Sequence, residues 1–396
     1  MRRALAFVLA VVQTAALCGC SSAVNTKRYE KESDMIISDT KANETGAFES
    51  LPDLKGFESS FEAAANMKIG WNLGNSLDSS GNIKGTAASD FETAWGNPVT
   101  VPELIASVKD AGFNSVRIPV TWWCNMNNDG TVNDFWLDRV EEVVNYALDE
   151  DMYAIINVHH DTGGSEEAWL RADPLMYEEM SQRYAGLWRQ IADRFKDYGD
   201  KLLFEGFNEI LDSSFNWNGS GEEEYAVVNR LNQLFVDTVR ASGGNNPERN
   251  IIVSSYGAST AQPQTDGFRI PSDTAQNHLI AEMHCYDPWA FTSNGGDTTW
   301  DEEDKKVLEG IFERINRKVT KEQGVPLIIG EFAAQDAENT EERAAYAGDF
   351  IRIAKKYGIT CYWWDDGGSM AIIDRTLCEI SQPEIVSSMM EALKGN

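Results

Sequence analysis

Two glutamates are notable because each follows a short apolar run that is typical of a buried strand. Glu209 follows residues 202–207, and Glu331 follows residues 325–330. An ionisable carboxyl group at the end of a buried strand is costly unless something uses it. In a parallel barrel the carboxyl ends of all strands face one opening, so both glutamates would face that opening. Paired carboxyl groups at such a place indicate the hydrolysis of glycosidic bonds.

Other polar or aromatic side chains stand at the same point relative to predicted strands. They are Asn72, Arg117, His159, His160, Asn208, His284, Tyr286 and Trp364. Structural polar residues without a common role would not collect at one end of so many strands. We therefore expect these eight residues to form a cleft around Glu209 and Glu331.

The elements that must position these residues alternate between strand and helix. Helices are predicted at 101–111, 135–150, 177–198, 222–242, 301–322 and 341–357, with strands between them, including 250–255 and 360–364. Eight strand–helix units predict an α/β fold, a (β/α)8 TIM barrel, which needs about 250 residues. A single catalytic domain over 56–396 fits this pattern.

The N-terminus has the pattern of a targeting signal. Two arginines precede an apolar stretch at 4–17, which is too short to span a bilayer. The sequence Leu17-Cys18-Gly19-Cys20 resembles a bacterial lipobox, which predicts a signal peptide over 1–20 and a lipid on Cys20. Ordinary secretory cleavage is the alternative. Residues 21–55 are polar and predict a flexible tether, so we expect an extracytoplasmic protein on a bacterial cell surface, or a secreted one.

The charge and the cysteines exclude several classes of protein. A net charge of −29 disfavours a nucleic-acid partner, because phosphates need Lys and Arg, and it fits a neutral polymer as substrate. The cysteines beyond the N-terminal signal are widely spaced and include no Cys-x-x-Cys pair, which disfavours a metal cluster and favours free thiols. They are Cys124, Cys285, Cys361 and Cys378.

Seven motifs between Phe57 and the C-terminus resemble those of glycoside hydrolase family 5, and most of all its endoglucanase-rich subfamily 4. They are Gly-Trp-Asn-Leu-Gly-Asn at 70–75, Trp-Gly-Asn-Pro at 95–98, Val-Arg-Ile-Pro-Val-Thr-Trp at 116–122, Asn-Val-His-His at 157–160, Phe-Asn-Glu at 207–209, His-Cys-Tyr-Asp at 284–287 and Gly-Glu-Phe at 330–332.

The resemblance implies a retaining double displacement. Glu209 would be the acid/base, protonated at rest, and Glu331 the ionised nucleophile, with their carboxyl groups about 5 Å apart. Arg117 is expected to lower the pKa of Glu331, and Tyr286 is expected to donate a hydrogen bond to the same carboxylate.

The resemblance also implies a set of substrate-binding residues and no cofactor. Asn208 would hold the sugar 2-hydroxyl, and Trp364, rather than its neighbour Trp363, would lie beneath the sugar ring. Asn72, His159 and His284 complete the set. His160 either contacts sugar or only packs.

Several residues allow a second interpretation. Glu205 is expected to be structural or to face the helix layer rather than to react. A zinc site at His159 and His160 is disfavoured, because adjacent strand residues point to opposite faces and no His-Glu-x-x-His motif is present. Five further tryptophans are either sugar platforms or core residues: Trp122, Trp123, Trp217, Trp289 and Trp300.

We therefore predict a monomeric, retaining endo-β-1,4-glucanase that hydrolyses internal bonds of cellulose-like or mixed-linkage β-glucans. A xyloglucan-specific enzyme, or a broader β-glucanase or mannanase, is the alternative within the same chemistry. A surface lipoprotein that binds glycans without cutting them, with a membrane contact only through its anchor, is the alternative from another class. A metal-dependent barrel hydrolase is the third.

Overall fold

Eight parallel strands close into a barrel in chain order, so the predicted (β/α)8 fold is confirmed. The strands are β1 Ile69–Leu73, β2 Ser115–Ile118, β3 Tyr153–Asn157, β4 Leu202–Glu205, β5 Ile251–Ser259, β6 Leu279–His284, β7 Leu327–Phe332 and β8 Thr360–Asp365. This computed structural model describes residues 56–219, 221–293 and 296–395. The predicted signal peptide over 1–20 and tether over 21–55 lie outside the described residues.

Helices surround the barrel, and a short hairpin follows the last strand. The helices are α1 Ser60–Asn66, α2 Ala88–Glu92, α3 Pro102–Asp110, α4 Asp134–Asp149, α5 Tyr177–Arg194, α6 Glu222–Arg240, α7 Gln262–Gly267, α8 Trp289–Thr292, α9 Glu302–Ile315, α10 Thr340–Lys356 and α11 Pro383–Lys394. A 3₁₀ turn spans Trp123–Asn125, a π-helical segment spans Asn316–Lys321, and the hairpin strands are β9 Ile373–Asp374 and β10 Glu379–Ile380. Of the helices that the structure describes, none combines the length and apolarity needed to cross a membrane.

The barrel interior is built in layers because inward and outward side chains alternate along each strand. On β4, Leu203 and Glu205 face inward, whereas Phe204 faces outward and packs on Trp188 of α5, with ring centroids 5.6 Å apart. The lower layers are apolar and are closed from below by α1. Their buried cluster comprises Ala64, Met67, Tyr153, Ile155, Leu203, Ile252, Ile280, Ile328 and Tyr362. A layer of charged side chains, which includes Arg117 and Glu205, lies above this apolar cluster, toward the carboxyl ends of the strands.

Strand β5 runs to Ser259, beyond its predicted end at residue 255, because it contains an irregularity. Its register with β6 shifts between Ser254 and Ser259, where Gly257 and Ala258 have positive φ angles of 62° and 47°. Extra residues in a strand re-aim the chain beyond them. Here they bring Gly257 and Ser259 to the wall of the cleft at the top of the barrel.

The cysteines agree with the sequence expectation. All four of those that the structure describes are free thiols, as predicted. Burial raises the pKa of the Cys124 thiol to about 11, so this thiol stays protonated at neutral pH.

Candidate active site

A cleft of 690 Å³ opens at the carboxyl ends of the barrel strands. Eight of the ten predicted site residues line it: His159, His160, Asn208, Glu209, His284, Tyr286, Glu331 and Trp364. The other two, Asn72 and Arg117, have no exposed surface and lie beneath the cleft floor. The structure therefore brings the predicted site together in two layers, one that faces solvent and one that supports it.

Glu209 and Glu331 face each other across this cleft. Glu331 lies within β7, whereas Glu209 follows β4 by four residues, and a carboxylate oxygen of each lies within 4.8 Å of the other. Their exposure differs, since the side chain of Glu209 is 23% exposed and that of Glu331 is 6% exposed. An oxygen–oxygen distance below 4.8 Å agrees with the separation of about 5 Å in retaining glycosidases and is shorter than the separation in inverting enzymes.

Three groups hold the Glu331 carboxylate. Arg117 Nη1 donates to one oxygen at 2.7 Å, Tyr286 Oη donates to the other at 2.8 Å, and His284 Nδ1 lies 3.5 Å away. Burial nevertheless raises the pKa of Glu331 above its ordinary value, although His284 and Arg117 oppose that shift. The expected contact with Arg117 is therefore present, but the expected lowering of the pKa is outweighed by desolvation.

Arg117 is the centre of the supporting layer. Its Nε and Nη2 form a bidentate pair with Glu205 at 2.6 and 2.7 Å, and both residues are fully buried. Glu205 is thus structural, but it does not face the helix layer, because alternation along β4 turns it into the barrel. Its partner is the cation that binds Glu331, so Glu205 fixes the position of Arg117 under Glu331.

Two asparagines accept hydrogen bonds from the same guanidinium group. Asn72 Oδ1 lies 3.0 Å from Nη1 of Arg117, and Asn208 Oδ1 lies 2.9 Å from Nη2. Asn72 also donates to the carbonyl groups of Gly330 and Trp363, so its whole amide is used inside the barrel. We therefore interpret Asn72 and Arg117 as positioning residues rather than sugar ligands. Asn208 lines the cleft, and its amide nitrogen remains to donate to a ligand.

His159 is held as a neutral donor. Asn157 donates to its Nδ1 at 3.0 Å, which assigns the remaining ring proton to Nε2. Burial lowers the pKa of His159 well below its ordinary value, and the neighbouring His160 and Arg117 lower it further. A neutral imidazole with one N–H suits a hydrogen bond to an uncharged sugar hydroxyl group.

The two adjacent histidines do not point to opposite faces, which corrects the expectation from strand alternation. Strand β3 ends at Asn157, so alternation no longer applies, and the rings of His159 and His160 lie 4.5 Å apart. Asp78 lies 3.6 Å from His160 Nε2, but its carboxylate already accepts backbone N–H groups at 75 and 76. We therefore assign these residues to hydrogen bonding rather than to a metal ion.

His284 connects three carboxyl groups. Its Nδ1 lies 2.8 Å from Glu209, and its Nε2 lies 2.7 Å from Glu282, a fully buried residue that the sequence reasoning missed. Burial works against a charged ring, but Glu331 and Glu282 outweigh it and raise the pKa of His284 well above its ordinary value. Two-residue alternation along β6 was the available signal, since it places Glu282 and His284 on the same inward face.

The tandem tryptophans take different environments. Trp364 lines the cleft and stacks on His159 with centroids 5.7 Å apart and planes 4° apart. A Cβ at Gly74 would lie 2.7 Å from the Trp364 ring, so a glycine is needed beneath this aromatic platform. Trp363 is buried and packs edge-on against Phe332. The alternation of side chains along β8 therefore predicted correctly that Trp364, rather than Trp363, faces the cleft.

Four of the five remaining tryptophans divide between cleft and core, whereas Trp123, in the 3₁₀ turn, is half-buried and is not among the residues that line this cleft. Trp217 and Trp289 line the cleft with 51% and 67% of their surface exposed. Trp122 and Trp300 are buried in the core. Trp95, which we did not single out as a platform, is 42% exposed and lies 5.2 Å from the His160 ring, so it extends the aromatic surface beyond the predicted set.

Comparisons with known proteins agree with this geometry. Residues 78–369 match the sequence profile of cellulase (glycosyl hydrolase family 5). The chain is 38% identical over 352 residues to endoglucanase A of Ruminococcus albus, covering 85% of this chain and 93% of that protein.

Solved structures resemble the whole barrel. A family 5 glycoside hydrolase from Prevotella bryantii B14, solved with a xyloglucan tetradecasaccharide, has a TM-score of 0.80 at 38% identity and covers 85% of this chain and 99% of its own. A subfamily 4 broad-specificity endoglucanase from Ruminococcus champanellensis with bound cellotriose has a TM-score of 0.80 at 35% identity, covering 84% and 98%. The chain therefore belongs to glycoside hydrolase family 5, where it groups with the subfamily 4 endoglucanases, and it is a glycoside hydrolase.

Proposed function

We propose that this protein is a retaining endo-β-1,4-glucanase in which Glu331 is the nucleophile and Glu209 the acid/base. The observation that carries the proposal is the spacing of these two carboxyl groups, within 4.8 Å, together with their unequal exposure. That spacing leaves no room for a water molecule between the sugar and the nucleophile, so the carboxylate itself attacks.

The first half of the reaction forms a covalent glycosyl–enzyme. Glu331 attacks the anomeric carbon, the glycosidic C–O bond breaks, and Glu209 donates its proton to the leaving oxygen. Arg117 and Tyr286, which bind the two oxygens of Glu331, hold it in position for the attack. In the second half Glu209 takes a proton from water, which attacks the same carbon and releases Glu331.

The substrate class follows from the cleft. Trp364, Trp217 and Trp289 offer flat aromatic faces along it, and such faces suit the apolar faces of sugar rings. The net charge of −29 favours a neutral polymer over a polyanion. The endoglucanase relatives support cellulose-like and mixed-linkage β-glucans as substrates.

Xyloglucan is the second candidate. Trp217 and Trp289 stand at the cleft with half or more of their surface exposed, so the cleft is open to solvent at these two rings. The relative from Prevotella bryantii was solved with a xyloglucan oligosaccharide, which supports the same candidate.

One experiment tests the function and ranks the substrates. Purified protein beginning at Ser21 is incubated with carboxymethylcellulose, barley β-glucan, xyloglucan, mannan and xylan beside its Glu331→Gln variant. We expect the viscosity of the glucans to fall and reducing ends to appear with wild type only. Binding to glucans without release of reducing ends by either protein would support the glycan-binding lipoprotein instead. Activity that survives EDTA would exclude the metal-dependent hydrolase.

We also propose that the protein acts outside the cytoplasm as a monomer, anchored through a lipid on Cys20. The support is the Leu17-Cys18-Gly19-Cys20 sequence with the polar stretch behind it. Mass spectrometry of the N-terminal peptide would show a diacylglyceryl group on Cys20 that is absent from Cys20→Ala. A free N-terminus further along the chain would indicate ordinary secretion, and light scattering would give the mass of the particle.

A further inference from the structure

Glu282 lies in the barrel beneath His284, on the side of the imidazole ring away from Glu209. It is fully buried, and its Oε1 lies 2.7 Å from His284 Nε2 and 4.0 Å from Arg117 Nη2. The double displacement assigned above gives Glu282 no bond to make or break. A buried carboxyl group is costly, so its presence calls for a reason.

The fold reserves space for this carboxylate. A Cβ at Gly330 of β7 would lie 1.9 Å from Glu282 Oε1, so any larger residue there would displace it. On the other side, the Ser254 hydroxyl of β5 donates to Glu282 Oε2. Three adjacent strands thus contribute to the placement of one carboxylate under one histidine.

His284 contacts both reactive glutamates through a single nitrogen. Its Nδ1 lies 2.8 Å from Glu209 Oε1 and 3.5 Å from Glu331 Oε2. The negative charge moves between these residues during the reaction. Glu331 carries it at rest, whereas in the glycosyl–enzyme Glu331 is esterified and Glu209, which has given up its proton, carries it.

We propose, on the basis of the function assigned above, that Glu282 is a positioning residue that keeps His284 doubly protonated, so that one imidazolium N–H stabilises whichever of Glu209 and Glu331 is charged. No proton is transferred to or from His284 in the cycle. The charged and titratable groups around His284 are the three glutamates and His159. Arg117 and Tyr286 lie behind them as partners of Glu331. Among the three glutamates, Glu282 is the one that does not change its charge during the reaction.

The pKa directions agree with this role. Burial raises the pKa of Glu282, but His284 and Arg117 outweigh burial and bring it below its ordinary value. Glu282 therefore remains a carboxylate, and a fixed anion at Nε2 favours the imidazolium form of His284.

The direct test is the protonation state of His284, measured by long-range ¹H–¹⁵N correlation spectra of protein labelled at its four histidines. The His284 signals are assigned by their loss in His284→Asn. We expect both ring nitrogens of His284 to stay protonated from about pH 5 to pH 8 in wild type and to titrate within that range in Glu282→Gln. Glu302→Gln, the same substitution at an exposed position of α9, is the matched control and should leave the wild-type spectrum unchanged.

The kinetic test measures whether the changed protonation of His284 in Glu282→Gln alters the pH dependence of kcat/KM. Without a cation 3.5 Å away, Glu331 loses a group that lowers its pKa, so the acid limb of kcat/KM in Glu282→Gln moves to higher pH. We expect a shift of about one pH unit, so the loss of kcat/KM grows as the pH falls and approaches about tenfold below the wild-type limb. Glu282→Asp, which retains the charge, should recover part of the loss, whereas a purely structural role would lower activity at all pH values alike.

A measurement on wild type keeps the proposal testable if Glu282→Gln does not fold. After a 2-deoxy-2-fluoro-glucoside traps the glycosyl–enzyme, His284 should remain imidazolium while its Nδ1 signal shifts. A neutral His284 in wild type, or in the trapped enzyme, would overturn the proposal. Full activity of Glu331→Gln would instead overturn the proposed function, whatever the state of His284.

Discussion

The two pairs of glutamates in this barrel share a residue type and differ in what surrounds them. Glu209 and Glu331 stand at the cleft, within 4.8 Å of each other, and Glu209 is open to solvent. Glu205 and Glu282 lie one layer deeper and are fully buried; Glu205 pairs with Arg117, and Glu282 lies 2.7 Å from His284 Nε2. The first pair is placed to exchange protons and bonds with a substrate. The second pair lies against Arg117 and His284, the side chains that contact the first pair.

The comparison teaches that depth, rather than residue type, decides the role of a carboxyl group. Glu209 lines the cleft and is partly exposed, so a substrate can reach its carboxyl group. Glu205 is fully buried, and this burial raises its pKa against the opposing effect of Arg117. A buried carboxylate with a bidentate arginine partner is suited to structure and unsuited to proton transfer.

The largest effect is expected from the cleft pair. Glu331→Gln and Glu209→Gln should each lower kcat on β-glucan by at least about 10³-fold, because they remove the nucleophile and the acid/base. Azide added to Glu331→Ala should yield an α-glycosyl azide, and azide added to Glu209→Ala a β-glycosyl azide, from an activated cellobioside. The opposite stereochemistry would exchange the two roles.

For the deeper pair, Glu205 and Glu282, the expected effect of a substitution is a loss of stability. Glu205→Ala leaves Arg117 buried with its bidentate partner removed, and breaking a buried pair in this way costs about 3–5 kcal/mol of unfolding free energy. Urea titration measures the loss, with Glu302→Ala, the same substitution at an exposed position of α9, as the control that should unfold near the wild-type midpoint. Equal stability of Glu205→Ala and wild type would show that the deep layer does not hold the barrel.

The tandem tryptophans repeat the comparison between cleft and core. Trp363→Ala should cost about 3–5 kcal/mol of unfolding free energy, as expected for a buried aromatic ring. Trp364→Ala should leave stability within about 1 kcal/mol, because its ring faces the cleft, and should instead lower kcat/KM. Urea titration and kinetics on both variants measure the split, and an unstable Trp364→Ala would contradict it.

A smaller effect is expected where a neutral group supports the nucleophile. Tyr286 donates to the ionised form of Glu331, so Tyr286→Phe should raise the pKa of Glu331. Since the reaction needs ionised Glu331, activity is lost as pH falls through that pKa, and the acid limb of kcat/KM should move up by about one unit. A limb that moves down, or stays, would assign Tyr286 to substrate contact alone.

The smallest effect concerns the exposed aromatic residues. Trp217→Ala and Trp289→Ala should raise KM for polymeric glucan severalfold, about 1 kcal/mol, and leave hydrolysis of a short aryl cellobioside nearly unchanged. Val307→Ala, an exposed hydrophobic residue away from the cleft, is the control for general surface effects. Equal losses on polymer and short substrate would place these rings at the reacting centre instead.

Most of the cleft residues could be predicted from the sequence, because the apolar runs of buried strands show where each strand ends. Apolar runs place Glu209 and Glu331 at the carboxyl ends of β4 and β7, and the two-residue period selects Trp364 over Trp363. The same period also turns Glu205 and Glu282 inward, but it does not tell which cation each would meet. Those partners come from different strands, and only the closed barrel brings them together.

Other features of the cleft lie where the backbone departs from regular β-strand geometry, and these could not be predicted from the alternation of side chains. His159 and His160 follow the end of β3, where alternation stops, so their shared direction was not predictable from it. The irregularity at Gly257 in β5 extends that strand beyond its predicted end and shapes one wall of the cleft. Desolvation of Glu331 also depends on packing in three dimensions. The sequence therefore predicted the effect of Arg117, which lowers the pKa of Glu331, but not the larger opposing effect of burial.

The measurement that tests the central claim most directly is the site of covalent labelling in the wild-type enzyme. A 2-deoxy-2-fluoro-β-cellobioside with a good leaving group should add one glycosyl unit per chain, and peptide mass spectrometry should place it on Glu331. That result would confirm that the cleft carboxylates react and the deep ones do not. A label on Glu205, Glu209 or Glu282, or steady turnover with no covalent intermediate, would contradict the division of roles.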